Sequence, residues 1–431
     1  MKHSFSVILS LIMAVVLAVC IGGCASGSDK SGDISPTSGN ASATPGEDPT
    51  GSPTDVPAET EEPAATPVKS NLPLHPETSN EQMTTPFWLT DTMYNECICF
   101  HQQKDGTVKG TTVFTPLEIV SLTDYSLKKT YKAGTDFIWD GTTNTITLPE
   151  GSPIKFFTEK ELKGYDEKGK QLEAFSGTFD AKGRSRLANA LFCNSEYLYG
   201  RQYAITYKYS FGSWTGPVTE FQGDVLPKTT AKLKNGEDIK VTFFGDSIFA
   251  GAEASAYLGH APGQPVMATL FKKAIEAYYS VKVSINNPSV GGLSSKDLMD
   301  HIGDITKSSK RIPDLVFIGF GMNDQTTVNT GNNAQKVIDE VLKVNPDCEF
   351  VLVTTMKPNP DSGMLQGQPR IPSLYKPLLK QGVGYVDMYG MHTAILETKD
   401  YVSTSGNNVN HPNDWLIRIY VMNLCAALID Y

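Results

Sequence analysis

Ser247 is the first residue in the chain whose type and setting could do chemistry. It follows the apolar run Val241-Thr242-Phe243-Phe244 and the turn Gly245-Asp246. A serine just past the carboxyl end of a parallel strand sits where open α/β sheets expose ligands and nucleophiles. Gly245 allows the sharp turn that such a placement needs. A Gly-Asp-Ser tripeptide alone is weak, since it also suits a turn or a helix cap. Three further blocks follow in order: Asn287 to Ser294, with Gly291-Gly292; Gly319 to Asp324, with Asn323; and Asn408-Val409-Asn410-His411-Pro412-Asn413. A serine with a downstream histidine is the pairing that nucleophilic acyl transfer uses.

The elements that must position these blocks are legible as five apolar runs alternating with helical stretches. They are Ile239 to Phe244, Val281 to Ile285, Asp314 to Phe320, Phe350 to Thr354 and Val383 to Val386. Such alternation predicts a parallel sheet with crossover helices. A last helix is expected from near Asn413, carrying Trp415, Leu416, Ile417, Ile419, Tyr420 and Leu424. From Thr84 to Gln222 the texture is instead short β-branched and aromatic runs, such as Thr145 to Leu148 and Tyr203 to Tyr207. Asp136 to Trp139 and the Thr145 run read as a hairpin about Asp140-Gly141. That region predicts an all-β sandwich or jelly roll.

Taken together, Ser247, Gly292, Asn323 and His411 resemble the four signature positions of the SGNH (GDSL) hydrolases, from about Ile239 to the C-terminus. The resemblance implies a flavodoxin-like α/β domain and a serine esterase. Ser247 would be the nucleophile and His411 its base. The oxyanion hole would comprise the Ser247 and Gly292 N–H groups and the Asn323 side-chain amide. Arg201 to Leu226 resembles the β-domain that precedes some members. One position departs from the family. Members usually carry Asp three residues before the histidine, and here Asn408 stands there. Three options remain for orienting His411: the Asn408 amide oxygen as a neutral acceptor, a backbone carbonyl, or a working Ser-His dyad, with a dyad and a neutral orienter favoured. Asp414 is set aside because it lies beyond Pro412. Asp246 and Asp324 are expected to hold loops. His260, His301 and His392 are expected at the surface. Tyr257, in the insertion Gly251 to Pro265, and Trp415 are candidates to line a substrate pocket.

The remaining features place the enzyme. Phe5 to Val19 is an apolar run behind Lys2 and His3, too short for a comfortable membrane span. Ile21-Gly22-Gly23-Cys24 resembles a bacterial lipobox, which implies lipidation of Cys24 and a membrane-anchored extracellular protein. The expected divisions are a signal segment at 1–24, a Ser/Thr/Pro-rich linker at 25–82, a β-domain at 83–226 and a hydrolase domain at 227–431. The linker has almost no aromatic or branched apolar residues to offset the entropy of ordering. A net charge of -10 with no basic run excludes a nucleic-acid surface. Cys97, Cys99, Cys193, Cys348 and Cys425 have no zinc-ligand spacing and read as small core residues, so no metal or cofactor is called for. A tether and an accessory β-domain suit an acylated polysaccharide as substrate, with acetyl as the acyl group. The alternatives are a lipase or thioesterase for longer chains and a non-catalytic glycan-binding lipoprotein.

Overall fold

The computed structural model describes residues 80–172, 190–307, 312–324 and 329–431. The expected lipobox at Cys24, and all but the last residues of the linker, lie outside them.

Five parallel strands form the central sheet: β7 (Ile239–Gly245), β8 (Val283–Asn286), β9 (Leu315–Gly319), β10 (Glu349–Val353) and β11 (Val383–Val386). Their order is β11-β10-β9-β7-β8, the flavodoxin-like pattern. Each expected run became a strand because a sheet covered on both faces needs apolar residues at every position. Alternate side chains enter opposite layers. Phe243, Phe317 and Val351 join one core, while Phe244, Val316, Ile318 and Leu352 join the other.

The helices used below are α1 (Asn80–Thr84), α2 (Pro227–Lys234), α3 (Ser247–Ala250), α4 (Met267–Tyr279), α5 (Thr330–Leu342), α6 (Met388–Ile395) and α7 (Asp414–Ala426). Helix α7 starts one residue after Asn413, whose side chain caps it by accepting from Leu416 N. Apart from Asp414, all its residues are buried. That explains a helix with little amphipathic contrast, apolar on nearly every side. It packs against α4, α1 and strand β1 (Thr92–Ile98).

Strand β1 belongs to the β region, which contains two three-stranded antiparallel sheets. One has the order β1-β6-β4, with β4 at Glu118–Asp124 and β6 at Tyr203–Lys208. The other has the order β2-β3-β5, with β2 at His101–Gln102, β3 at Val108–Thr111 and β5 at Thr145–Leu148. The expected hairpin is reduced to one antiparallel bridge between Ile138 and Thr147. The described residues cluster as one unit. A single apolar core runs from Ile98, Leu122 and Ile205 of the β region through Trp415 and Tyr420 to Phe243 of the central sheet. All five cysteines of this part are buried and unpaired.

A fully buried ion pair crosses the same boundary. Lys399 Nζ lies 2.5 Å from Glu96 Oε1 and also donates to Thr111 O. Glu96 accepts in addition from Val113 N and from the Tyr207 hydroxyl. Lys399→Met leaves that carboxylate without its cation and is expected to cost about 3–5 kcal/mol of stability. Urea denaturation of the parent and variant measures this. A loss below about 1 kcal/mol would contradict the pairing.

Candidate active site

Ser247 is the first residue of α3, directly after β7, and Asp246 caps it by accepting from Ile248 N at 3.1 Å. The other Asp246 oxygen accepts from Met322 N at 3.3 Å, which fastens the loop after β9 to the loop after β7. Burial raises the Asp246 carboxyl to about 6. Gly245 is needed for close approach: a Cβ there would stand 2.0 Å from Gly319 O of β9. β7 and β9 flank the point where the strand order reverses, so both loops open into the usual ligand crevice of this fold.

The loop after β8 closes on the same place. A Cβ on Gly291 would lie 3.5 Å from Ser247 Cβ, so the loop at Gly291 and Gly292 abuts Ser247. Gly292 has φ +78°, a conformation that L side chains rarely adopt. Asn323 donates one amide hydrogen to Leu293 O at 3.1 Å, joining the third loop to the second. Asp324 accepts from Ser295 N and Ser295 Oγ, each at 2.7 Å, and from Thr330 Oγ1. Both aspartates therefore hold loops, as expected.

His411 arrives from the loop before α7, and its Nε2 is 2.7 Å from Ser247 Oγ. Both residues are less than a tenth exposed. The other ring nitrogen, Nδ1, has two neighbours with opposite demands. Asn407 Nδ2 is 2.9 Å away and Glu253 Oε1 is 3.3 Å away. The Asn407 amide cannot turn round, because its oxygen accepts from the backbone N–H groups of Val409, Asn410 and His411. With the proton on Nδ1, the ring donates to Glu253 and leaves Nε2 free to accept the serine proton. With the proton on Nε2, Nδ1 accepts from Asn407 and the ring cannot act as base.

Asn408 is not an orienter of the ring. Its Nδ2 donates to Leu191 O at 3.1 Å, and its own carbonyl accepts from Asn359. It occupies the left-handed region at φ +60°, which asparagine tolerates better than most residues. The carboxylate beside the ring is instead that of Glu253, six residues after Ser247. Glu253 is buried and also left-handed, at φ +69°. Backbone strain of this kind, of order 1–3 kcal/mol, concentrates at functional sites. The sequence offered one signal for it. Glu253 is the single Asp, Glu, Lys or Arg between Asp246 and Lys272.

Trp415 lines a cavity of about 270 Å³ together with Glu253, but Tyr257 does not. Tyr257 is half exposed, and the insertion reaches the cavity through Leu258, His260 and Gln264. Asp414 accepts from Ser255 N and holds the same insertion, well apart from any role at the ring.

His392 corrects another expectation, being fully buried in α6 rather than at the surface. Its Nδ1 accepts from Lys357 N, and its Nε2 pairs with Thr404 Oγ1. Burial, reinforced by Lys357, lowers its pKa from 6.5 to about 3. The unfolded chain therefore binds the extra proton first as pH falls. The stability held by neutral His392 is present above pH 6.5 and is lost between there and about pH 3. His392→Gln is expected to flatten the acid limb of a stability–pH curve over that window. An unchanged limb would contradict the assignment.

Residues 243–415 match the model of the GDSL-like lipase/acylhydrolase family. Among solved structures, the chain is similar to a two-domain esterase active on acetylated mannans, co-crystallised with mannopentaose. The identity is 16%, over 48% of this chain and 53% of that one, with a TM-score of 0.37. It is also similar to a lipase/acylhydrolase from Enterococcus faecalis, at 20% identity over 43% of this chain and 93% of that one, with a TM-score of 0.35. A catalytic mutant of an acetylxylan esterase from Geobacillus stearothermophilus gives 16% identity over 43% and 94%, with a TM-score of 0.33. The match spans about half the length of the two-domain esterase. No curated protein matches the chain. The matched segment runs from within β7 to the first turn of α7 and carries Ser247, Glu253, Gly292, Asn323 and His411.

Proposed function

We propose that this chain is an extracellular, lipid-anchored serine esterase that removes short acyl groups, acetyl foremost, from carbohydrate. The observation that carries the reading is the 2.7 Å contact of Ser247 Oγ with His411 Nε2, backed by Glu253 at Nδ1. His411 takes the serine proton as Oγ adds to the ester carbonyl. The negative charge that develops on the carbonyl oxygen meets the N–H groups of Ser247 and Gly292 and the second amide hydrogen of Asn323. His411 then gives its proton to the departing alcohol. Water, activated by the same ring, releases the acid and restores the serine.

The shallow exposure of Ser247 and His411 supports a small acyl group, because a long chain needs open apolar surface beside the nucleophile. The lipobox-like segment and the linker support anchoring outside the cell. Among the described residues no helix is long and apolar enough to cross a membrane.

The test is a chain-length series of 4-nitrophenyl esters run alongside acetylated oligosaccharides. Acetate is expected to give the highest kcat/KM, and the saccharides are expected to be deacetylated. A kcat/KM that rises towards octanoate would establish the lipase alternative. No turnover of any ester would establish the binding-protein alternative. Cys24→Ser is expected to release the protein from the membrane fraction, and a mature N-terminus other than position 24 would refute the anchor.

A further inference from the structure

The β region reaches the active site through a buried arginine. Along β1 the pairing with β6 passes from Met93 opposite Tyr207 to Glu96 opposite Ile205, so Tyr94 and Asn95 together face the single Thr206. A bulge of this kind bends its strand and re-aims the groups it carries. Asn95 takes φ +46° there, and Thr206 Oγ1 holds it twice, accepting from Asn95 N and donating to Asn95 Oδ1. Both bulge carbonyls accept from Arg418 of α7, with Nη2 3.2 Å from Tyr94 O and 2.6 Å from Asn95 O.

Arg418 passes this anchorage on to the insertion. Its Nη1 donates to Gln264 Oε1 at 2.9 Å, and Gln264 Nε2 donates to Asp414 O at 2.8 Å. The Gln264 backbone accepts from Ala256 N and donates to Ser255 Oγ, while Ser255 N donates to Asp414 Oδ1 at 2.9 Å. These ties end two residues from Glu253. The Glu253 side chain is held by little else. Its Oε1 faces His411, and its Oε2 has no hydrogen-bond partner among the described residues. It packs on Gly406, where a Cβ would stand 2.4 Å from Glu253 Cβ. The place of the carboxylate is therefore set by the backbone that carries it, which is fixed at φ +69°.

From this geometry we infer that Arg418 and Gln264 are positioning residues for the Glu253 carboxylate, and that the β1 bulge is part of the same device. The inference rests on the esterase reading with Glu253 at Nδ1. A guanidinium is planar and rigid, so the direction it gives the bulge and the direction it gives Gln264 are fixed relative to each other. Loosening the bulge then frees Gln264, and freeing Gln264 lets the segment after Glu253 drift from α7. A displacement of about 1 Å at a reacting group costs on the order of 10²-fold in rate. The β region thus acts on turnover without touching Ser247 or His411. A purely structural role differs in its consequence: it would lower stability and leave the rate of each folded molecule alone, whatever side chain stands at 253.

Double-mutant cycles on the full-length protein with 4-nitrophenyl acetate test this. Gln264→Ala is expected to lower kcat about 10- to 100-fold with KM little changed. Thr206→Val, which releases the bulge from β6, is expected to lower it at least about threefold by the same route. In the Glu253→Gln background each change is expected to cost less than about twofold, because the group being positioned is already lost. If Gln264→Ala does not fold, Gln264→Glu carries the cycle: it keeps an acceptor for Arg418 and loses the donor to Asp414 O. The inference is overturned if the folded Gln264 variant keeps kcat within about twofold of the parent, or if it costs the same factor with glutamine at 253 as with glutamate. A folded Thr206→Val protein with unchanged kcat would remove the bulge from the device. Failure of the esterase reading shows separately, as absence of ester turnover in the unsubstituted protein.

Discussion

Ser247→Ala is expected to lower kcat for 4-nitrophenyl acetate by about 10⁴- to 10⁶-fold, leaving the thermal midpoint unchanged. The size follows from the chemistry. Without Oγ there is no acyl-enzyme, and only the oxyanion donors remain to favour direct attack by water. The unchanged fold follows from the contacts. The hydroxyl's partner is His411, while the cap of α3 is made by Asp246. Alanine suits the first turn of a helix at least as well as serine. Residual activity within tenfold of the parent would remove Ser247 from the mechanism. Loss of activity together with loss of the folded state would leave the chemistry to be read from serine-directed phosphonate labelling of the parent, which is expected at Ser247 alone.

The second large effect is expected at Glu253. Glu253→Gln keeps the size of the side chain but removes the charge that favours the proton on Nδ1. The glutamine can also present its own NH2 to the ring, beside that of Asn407. Two amide donors at Nδ1 then hold the histidine in the tautomer that cannot accept from serine. Turnover is expected to fall by about 10²–10⁴ with KM little changed, in the range known for exchanging the acid of such triads for its amide. Asn408→Asp provides the contrast. A carboxylate there would face Leu191 O instead of donating to it, so stability is expected to fall with no gain in rate. If Asn408→Asp raised kcat, or Glu253→Gln cost less than threefold, the acid would have to be reassigned.

Why the sequence disclosed Ser247 but not Glu253 is a matter of what local pattern encodes. The five strands were readable because a doubly covered sheet demands unbroken apolar runs. The last helix was readable because Asn413 is a capping residue set before a long apolar stretch. Ser247, Gly292 and Asn323 fall at strand ends, so reading the strands was enough to bring them together. Glu253 reaches His411 across 158 residues, and that approach depends on Ser255 and Gln264 binding Asp414 at the start of α7. No period or turn signal records such an encounter. Asn408 misled because its position in the block fitted a triad member, while its backbone at φ +60° turns the side chain away from the ring. His392 misled for a related reason. Its partners, Lys357 N and Thr404 Oγ1, come from other loops, and nothing next to it in sequence announces a buried imidazole.

The ion pair between Glu96 and Lys399 also bears on how the protein is made. Its two members are separated by 303 positions. At about 5–20 residues per second, a ribosome needs roughly 15–60 s to pass from one to the other. Through that interval strand β1 holds a carboxylate destined for a dry interior whose cation has not yet been synthesised. The carbonyls of Tyr94 and Asn95 wait longer still for Arg418. The earliest strands therefore lack these partners until α7 has been synthesised.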